Sequence, residues 1–381
     1  MYVTQEDPRP PLLVIAGPTA TGKTRLALEL ADHAPIEVIS ADSRQVYRGL
    51  DIGTAKPTVA ERKRLPHHLV DIIDPDEVFS AHRFARLARA AIVDIESRGA
   101  HPVLVGGTGF YIQALLTASP LGATPPDPDL RSRLTRELET HGPAPLIRRL
   151  HHLAPDRAAA IDLHNPRRLI RALEIAESQA RQERLAEPPS LADVRSPLNP
   201  SPGDLSKAPF VFEGGTALHP LQGERQVRPS AAETGEGSSG QPPLGLRKGL
   251  HEATRPVQPG TTTPIPAHVL GLEVEPETLA KRIAKRTEQM FKNGLLDEAR
   301  RLRDRGYDRT LPALSGVGYA EALAHLDGKL SLAEAIQRTT IRTRQYARRQ
   351  RTWFRHQLPT LWRPPNTALK TALHHLTAVS S

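Results

Sequence analysis

The sequence contains no cysteine. That absence excludes disulfides, a thiol nucleophile and a cysteine-based zinc finger, and it fits a reducing compartment. Long uncharged apolar runs are missing too, so no membrane-spanning helix is expected. The opening MYVTQEDPRP lacks the basic and apolar regions of a signal peptide, which makes a cytoplasmic protein the expectation. What the chain has in excess is positive charge. A formal net charge of +9 over 381 residues suits a polyanionic partner, although a basic protein with no such partner has the same balance. The length accommodates two domains.

The most specific local feature is LLVIAGPTATGKT, Leu12 to Thr24. Leu12 to Ile15 has the length and branching of a buried parallel strand. Gly17, Pro18, Thr19, Ala20, Thr21, Gly22, Lys23 and Thr24 then fit G-x-x-x-x-G-K-[ST]. Loop amides in that pattern cradle a di- or triphosphate, the lysine neutralises it and the hydroxyl meets Mg²⁺. Leu26, Ala27 and Leu30 supply the apolar stripe of a following helix, whose positive end aims at the anion. The loop alone does not say which phosphate is held, because it serves several chemistries.

Ile36 to Ser40 reads as a second strand, after which Asp42 is placed either as a general base facing the phosphate loop or as an Asx turn or helix cap. His67 to Ile73 is expected to be a strand and Ser80 to Ala100 a helix, with Phe84, Leu87, Ala91 and Ile95 at helical spacing. His67 and His68 have no third ligand at metal spacing. Pro102 to Tyr111 repeats the strand-into-glycine-turn format, with Gly106, Gly107 and Gly109 marking either a close ligand or only a tight turn.

From Leu130 the pattern turns helical. Asn165 and Pro166 read as a helix start, and Arg167, Arg168 and Arg171 give that helix a basic face, either solvated or meeting nucleic acid. Residues 184–266 are rich in Pro, Gly and Ser and read as a disordered insertion, with Phe210, Val211 and Phe212 its one apolar cluster. A core strand is expected at His268 to Val274. A helix from Pro276 then carries Arg282 and Arg286 on one face, and a small-residue turn spans Leu314 to Tyr319. Ser331 and Glu334 form a capping box. The helix they start carries seven arginines from Arg338 to Arg355, interleaved with Tyr346, Trp353 and Phe354. Such a helix suits RNA, a membrane surface or a calmodulin-like partner; its apolar face is too thin for stable membrane anchoring, and the upstream phosphate loop favours RNA over a solvated structural helix.

Taken in order, GPTATGKT, ISADSRQVYRGLDIGTAKP, LVGGTGFY, NPRRLIRALE, RIAKRTEQMFKNGLLDEA, LSGVGYAEAL and TRQYARRQRTWFR resemble the tRNA dimethylallyltransferases over nearly all of the chain. The resemblance implies an α/β fold: a P-loop NTPase-like parallel sheet with flanking helices, plus an inserted, mostly helical tRNA-binding domain. Its division would be a first core part at 1–118, the helical insertion at 119–183, the disordered insertion at 184–266, core completion with basic helices at 267–365 and a tail at 366–381. It implies transfer of a dimethylallyl group from dimethylallyl diphosphate to N6 of the adenosine on the 3′ side of the anticodon. Lys23, the loop amides, Thr19 and Arg286 would then stabilise the diphosphate, Thr24 would hold Mg²⁺ and Asp42 would act as base. Asp42, Ser43, Arg44, Gln45, Thr108, Arg167, Arg168, Arg171, Ser315, Gly316, Val317, Gly318 and Tyr319 would meet the tRNA anticodon stem-loop. The implied enzyme is a monomer that touches no membrane. The turn SGVGYA lacks the basic residue that many relatives carry after its tyrosine, and no cysteines exist for the C-terminal zinc finger of some relatives. A small-molecule P-loop kinase, an isopentenyltransferase acting on free adenine nucleotides and a non-enzymatic RNA-binding protein are the competing readings.

Overall fold

The computed structural model describes residues 11–117, 127–186 and 263–379. The chain divides into two compact units, Met1–Pro125 with Pro259–Ser381, and Pro126–Gln258. In the first unit the short apolar runs become strands: β1 (Leu12–Ala16), β2 (Ile36–Ala41), β3 (His67–His68), β4 (His101–Gly106), β5 (Ala267–Leu272) and β6 (Leu361–Arg363). All pair in parallel, in the order β3-β2-β4-β1-β5-β6. Every residue of β1 and β2 is buried, as strands covered by helices on both faces must be.

The first four helices are α1 (Lys23–Ala31), α2 (Val59–Arg64), α3 (Ala81–Ser97) and α4 (Gly109–Leu116). The second unit holds α5 (Pro128–His141), α6 (Pro143–Leu153), α7 (Pro155–Ala160) and α8 (Pro166–Ala186). The first unit resumes with α9 (Pro276–Lys292), α10 (Leu295–Asp304), α11 (Tyr319–Leu326), α12 (Leu332–Gln357) and α13 (Pro365–Val379). Strand alternation sorts the core. Leu13 and Ile15 pack with Leu26, Ala27 and Leu30 of α1 and with Ala368, Ala372 and Leu376 of α13. Val14 and Ala16 belong to the opposite layer, with Phe84 of α3, Ile112 of α4 and Phe354 of α12.

Two expectations are corrected. The strand read at His67 to Ile73 stops after two residues, because Leu69 and Asp71 take φ of 61° and 58° and turn the chain. Asp71 is held there by the ammonium of Lys56 and by Arg62 at 2.7 Å, while Ile72 donates its N–H to the carbonyl of Val46 at 2.9 Å. The segment read as a tail at 366–381 is mostly helix α13, whose alanines and Leu376 cover one face of the sheet. The expected insertion at 184–266, with Phe210, Val211 and Phe212, lies almost wholly outside the described residues.

In the second unit the apolar residues of α5, α6, α7 and α8 make a separate core around Leu134, Leu146, Leu150, Leu169 and Leu173. Asn165 caps α8 as its sequence position suggests, its side-chain oxygen accepting from the N–H groups of Arg167 at 3.1 Å and Arg168 at 3.3 Å. The carboxylate of Glu174 is buried among Arg131 at 2.7 Å, Arg171 at 3.0 Å and the N–H of Asp127 at 2.7 Å.

Candidate active site

Register sets the site. Ala16 and Ala41 both pair with Gly106, so Gly17, Asp42 and Gly107 leave three adjacent strands at one level, at their carboxyl ends. In a doubly wound sheet that edge is where ligands bind. The loop after β1 closes on itself: Thr21 donates its hydroxyl to the carbonyl of Pro18 at 2.9 Å. Ala20 holds φ of 65°, a left-handed conformation that costs a non-glycine residue about 1–2 kcal/mol. Such alternation of hand turns successive amides into an anion-binding concavity. The first amides of α1 add to it, because they have no acceptor within the helix.

Lys23 folds back on the loop, donating from Nζ to the carbonyls of Gly17 at 2.9 Å and Pro18 at 2.7 Å. Burial pulls its ammonium down to about 8; Asp42 opposes the fall and Arg286 adds to it. Burial likewise lowers Arg286, again against Asp42. One carboxylate therefore lies within electrostatic reach of both cations. The Oδ1 atom of Asp42 accepts from the N–H groups of Arg44 at 2.8 Å and Gln45 at 3.4 Å. The Asx turn and the placement beside the loop thus hold together, where the sequence presented them as alternatives.

The other loops close around Asp42. Ser43 donates its N–H to Thr108 Oγ1 at 3.1 Å, and Thr108 donates its own to the carbonyl of Ala41 at 3.1 Å. Tyr346 of α12 brings its phenol to Thr108; burial and then the charge of Asp42 push that phenol up to about 12. Sequence reasoning treated Tyr346 only as part of a basic helix. It also missed Gln350, which reaches from α12 to both the β1 and the β4 loops. Its signal is a buried polar residue on the face that carries Ala347 and Phe354.

Several residues expected at the tRNA surface are engaged elsewhere. Tyr319 is 1 % exposed and donates its hydroxyl to the buried carboxylate of Glu298, so in this conformation no macromolecule can reach it. Gly316 and Gly318 are buried as well, whereas Ser315 is exposed and Val317 partly so. Arg44 donates to the carbonyls of Pro312 and Ala313, and Gln45 donates to those of Thr54 at 3.4 Å and Ala55 at 3.3 Å. Arg171 is in the ion pair with Glu174, while Arg167 and Arg168 are exposed. On α12, Phe354 is in the core and Trp353 packs on Gly109, so neither is an open stacking platform, while Arg338, Arg344, Arg348 and Arg349 are exposed.

Among the described residues, no three His, Asp or Glu side chains cluster to hold a metal. Thr24 at the start of α1 offers a hydroxyl, and one such ligand completed by phosphate oxygens and water suits Mg²⁺, which rarely takes an all-protein cage. No described helix is long and apolar enough to cross a membrane.

Fold and site together define a P-loop-type α/β protein in which a carboxylate from the neighbouring strand stands beside the anion loop. Comparison with known proteins gives the family. A model described as IPP transferase matches residues 45–198 and 237–357. The tRNA dimethylallyltransferase of Roseiflexus sp. (strain RS-1) is 39 % identical over 94 % of both chains, and that of Geobacillus kaustophilus 38 % identical over 92 % of this chain and 89 % of its own. Among solved structures, the tRNA isopentenylpyrophosphate transferase of Bacillus halodurans superposes with a TM-score of 0.59 at 32 % identity, covering 98 % of this chain and 97 % of its own. A eukaryotic dimethylallyltransferase acting on tRNA shares the fold, with a TM-score of 0.63 at 24 % identity over 97 % of this chain and 78 % of its own. The chain belongs to the IPP transferase family.

Proposed function

We propose that this enzyme transfers the dimethylallyl group of dimethylallyl diphosphate to N6 of the adenosine on the 3′ side of the anticodon of tRNA, releasing diphosphate, as a monomer in the cytoplasm. The observation that carries the reading is the placement of Asp42 within reach of Lys23 and Arg286 at the phosphate loop.

In the reaction, the N6 lone pair attacks C1 of the donor, the C1–O bond breaks, and its electrons leave on the diphosphate. Lys23, Arg286, Thr19 through its hydroxyl, and the loop amides other than those of Pro18 and Thr19 are the groups that would receive that charge. Thr24 would hold Mg²⁺, which when bound neutralises part of the diphosphate. The attacking amine is weak because its lone pair is delocalised into the purine. Asp42 accepts the N6 proton as the N–C bond forms. An adenine stacked in the anticodon loop must first be extruded to reach the site. Ser43, Thr108, the exposed Ser315 and the partly exposed Val317 lie on the loops that would receive it. The exposed arginines of α8 and α12 suit the tRNA backbone and favour tRNA over a free nucleotide.

The test is digestion of tRNA after incubation with isotope-labelled donor, with mass analysis for the prenylated adenosine. Label appearing in AMP but not in tRNA, or transfer only from the γ-phosphate of ATP, would replace this reading with one of its rivals. Asp42→Asn is the sharpest variant, because an amide oxygen can keep the Asx turn while losing the base. Its transfer rate is expected to fall on the order of 10² to 10⁴-fold, with tRNA binding retained because the turn that presents Ser43, Arg44 and Gln45 is kept.

A further inference from the structure

We infer that Gln350 is a positioning residue for the donor loop, and that affinity for the diphosphate depends on its carboxamide; this rests on the donor site proposed above. Gln350 lies on α12, more than three hundred residues along the chain from that loop, and is 7 % exposed. Its Oε1 accepts from the N–H of Thr19 at 2.9 Å, and its Nε2 donates to the carbonyl of Gly107 at 2.8 Å. The two partners fix which end of the amide is which, since an N–H requires the oxygen and a carbonyl the nitrogen.

One side chain thus joins the loop after β1 to the loop after β4. The second junction follows directly, because Thr108, the residue after Gly107, takes the N–H of Ser43 beside Asp42 at 3.1 Å. Donor loop, β4 loop and base loop are consequently tied in series, and Gln350 enters that series from outside the three loops. The approach is close: a Cβ at 107 would stand 2.3 Å from Nε2 and would push the carboxamide off its two partners.

The physical consequence concerns preorganisation. Anion-binding amides stabilise a departing diphosphate only if they are aimed before the charge appears. Thr19 begins the stretch in which Ala20 holds its left-handed turn. Releasing the half-buried Thr19 amide removes the bond that fixes it and lets that turn relax, which spoils the aim of the amides that follow. Gln350 itself meets loop backbone, not the reacting atoms, so its effect is expected on donor binding and not on acceptor binding.

The experiment uses the full chain. Gln350→Leu and Gln350→Met both remove the two bonds at similar volume, and neither adds a charge beside the anion site. Inorganic pyrophosphate with Mg²⁺ is titrated by calorimetry, KM is measured separately for donor and tRNA, and urea midpoints report stability. Both variants are expected to raise the pyrophosphate Kd and the donor KM on the order of tenfold, with the tRNA KM within about twofold. Leu376→Ala in α13, a core change on the sheet face opposite Phe354 of α12, lowers the urea midpoint and is expected to leave the pyrophosphate Kd unchanged. Unchanged pyrophosphate Kd in a folded Gln350 variant overturns the inference, as does an equal shift in Leu376→Ala. If Gln350→Leu shows no cooperative unfolding, Gln350→Met decides on the same criterion. A wild-type enzyme that binds pyrophosphate but does not prenylate tRNA would sink the proposed function alone; one that binds no pyrophosphate would sink both.

Discussion

Lys23 shows what the loop is prepared for. Its ammonium rests on two loop carbonyls, and burial, only partly offset by Asp42, has brought it down to about 8. A diphosphate arriving in the loop favours the charged form, so binding above this value must be accompanied by proton uptake. Below about pH 7 the lysine is already charged and its contribution is level; as pH rises through about 8, affinity for pyrophosphate is expected to fall. Because pyrophosphate also titrates, the relevant quantity is the difference between wild type and Lys23→Met, measured by calorimetry across that range. A difference that stays constant from about pH 7 to about pH 9 would show that Lys23 does not titrate there. Asp42 makes a related point about reading single residues. A turn-forming carboxylate and a base need not be competing roles, because Oδ1 alone takes both turn bonds.

At the scale of elements, α10 does work that its amphipathic pattern did not advertise. Glu298 is 3 % exposed, and its carboxylate accepts from the N–H groups of Asp51 at 3.0 Å, Ile52 at 3.0 Å and Gly53 at 3.3 Å, and from the hydroxyl of Tyr319. The Tyr319 ring lies so close to Gly53 that a Cβ there would stand 2.5 Å from it. Helix α10 and the start of α11 therefore clamp the DIGTAKP segment, which explains why a tyrosine in a turn that resembles an RNA contact is buried. Tyr319→Phe removes one donor from a buried carboxylate and is expected to cost about 1–3 kcal/mol in urea unfolding, with tRNA affinity per folded molecule unchanged. A loss of tRNA affinity without a loss of stability would return Tyr319 to the RNA surface. What sequence reading captured here was local: the strand-loop-helix of β1 and α1, the Asn165 cap and the Ser331 capping box each lie within a few residues. What it missed was contact across the chain. The Gln350 bond to Thr19 and the Glu298 bonds to residues 51–53 have no local pattern to announce them, and β3 ended where Asp71 met a lysine fifteen residues away. Helix α13 is a different case, because Ala368, Ala372 and Leu376 do recur at helical spacing, and only the position near the chain end suggested a tail.

For the whole molecule, net charge becomes informative only after each arginine is sorted by what it already holds. Arg171 lines the buried carboxylate of Glu174, and Arg342 pairs with the buried Glu321, so these arginines are matched within the fold and the excess lies on others. Arg167 and Arg168 are exposed in the first turn of α8, with only their backbone amides committed to Asn165. The two classes should separate in a salt titration of tRNA binding. Each phosphate contact contributes about one to the slope of log K against log salt, so Arg167→Ala with Arg168→Ala is expected to flatten it by about two while the pyrophosphate Kd stays fixed. Arg171→Gln leaves Arg131 and the Asp127 amide on Glu174 and is expected to cost about 1 kcal/mol of stability in the helical unit, with little change in slope. If Arg171→Gln flattens the slope as strongly as the exposed pair, its guanidinium must leave Glu174 for the RNA backbone when tRNA binds. Equal slopes in wild type and the double variant would instead shift the phosphate contacts onto Arg338, Arg344, Arg348 and Arg349 of α12, where the same titration on paired alanine substitutions would locate them.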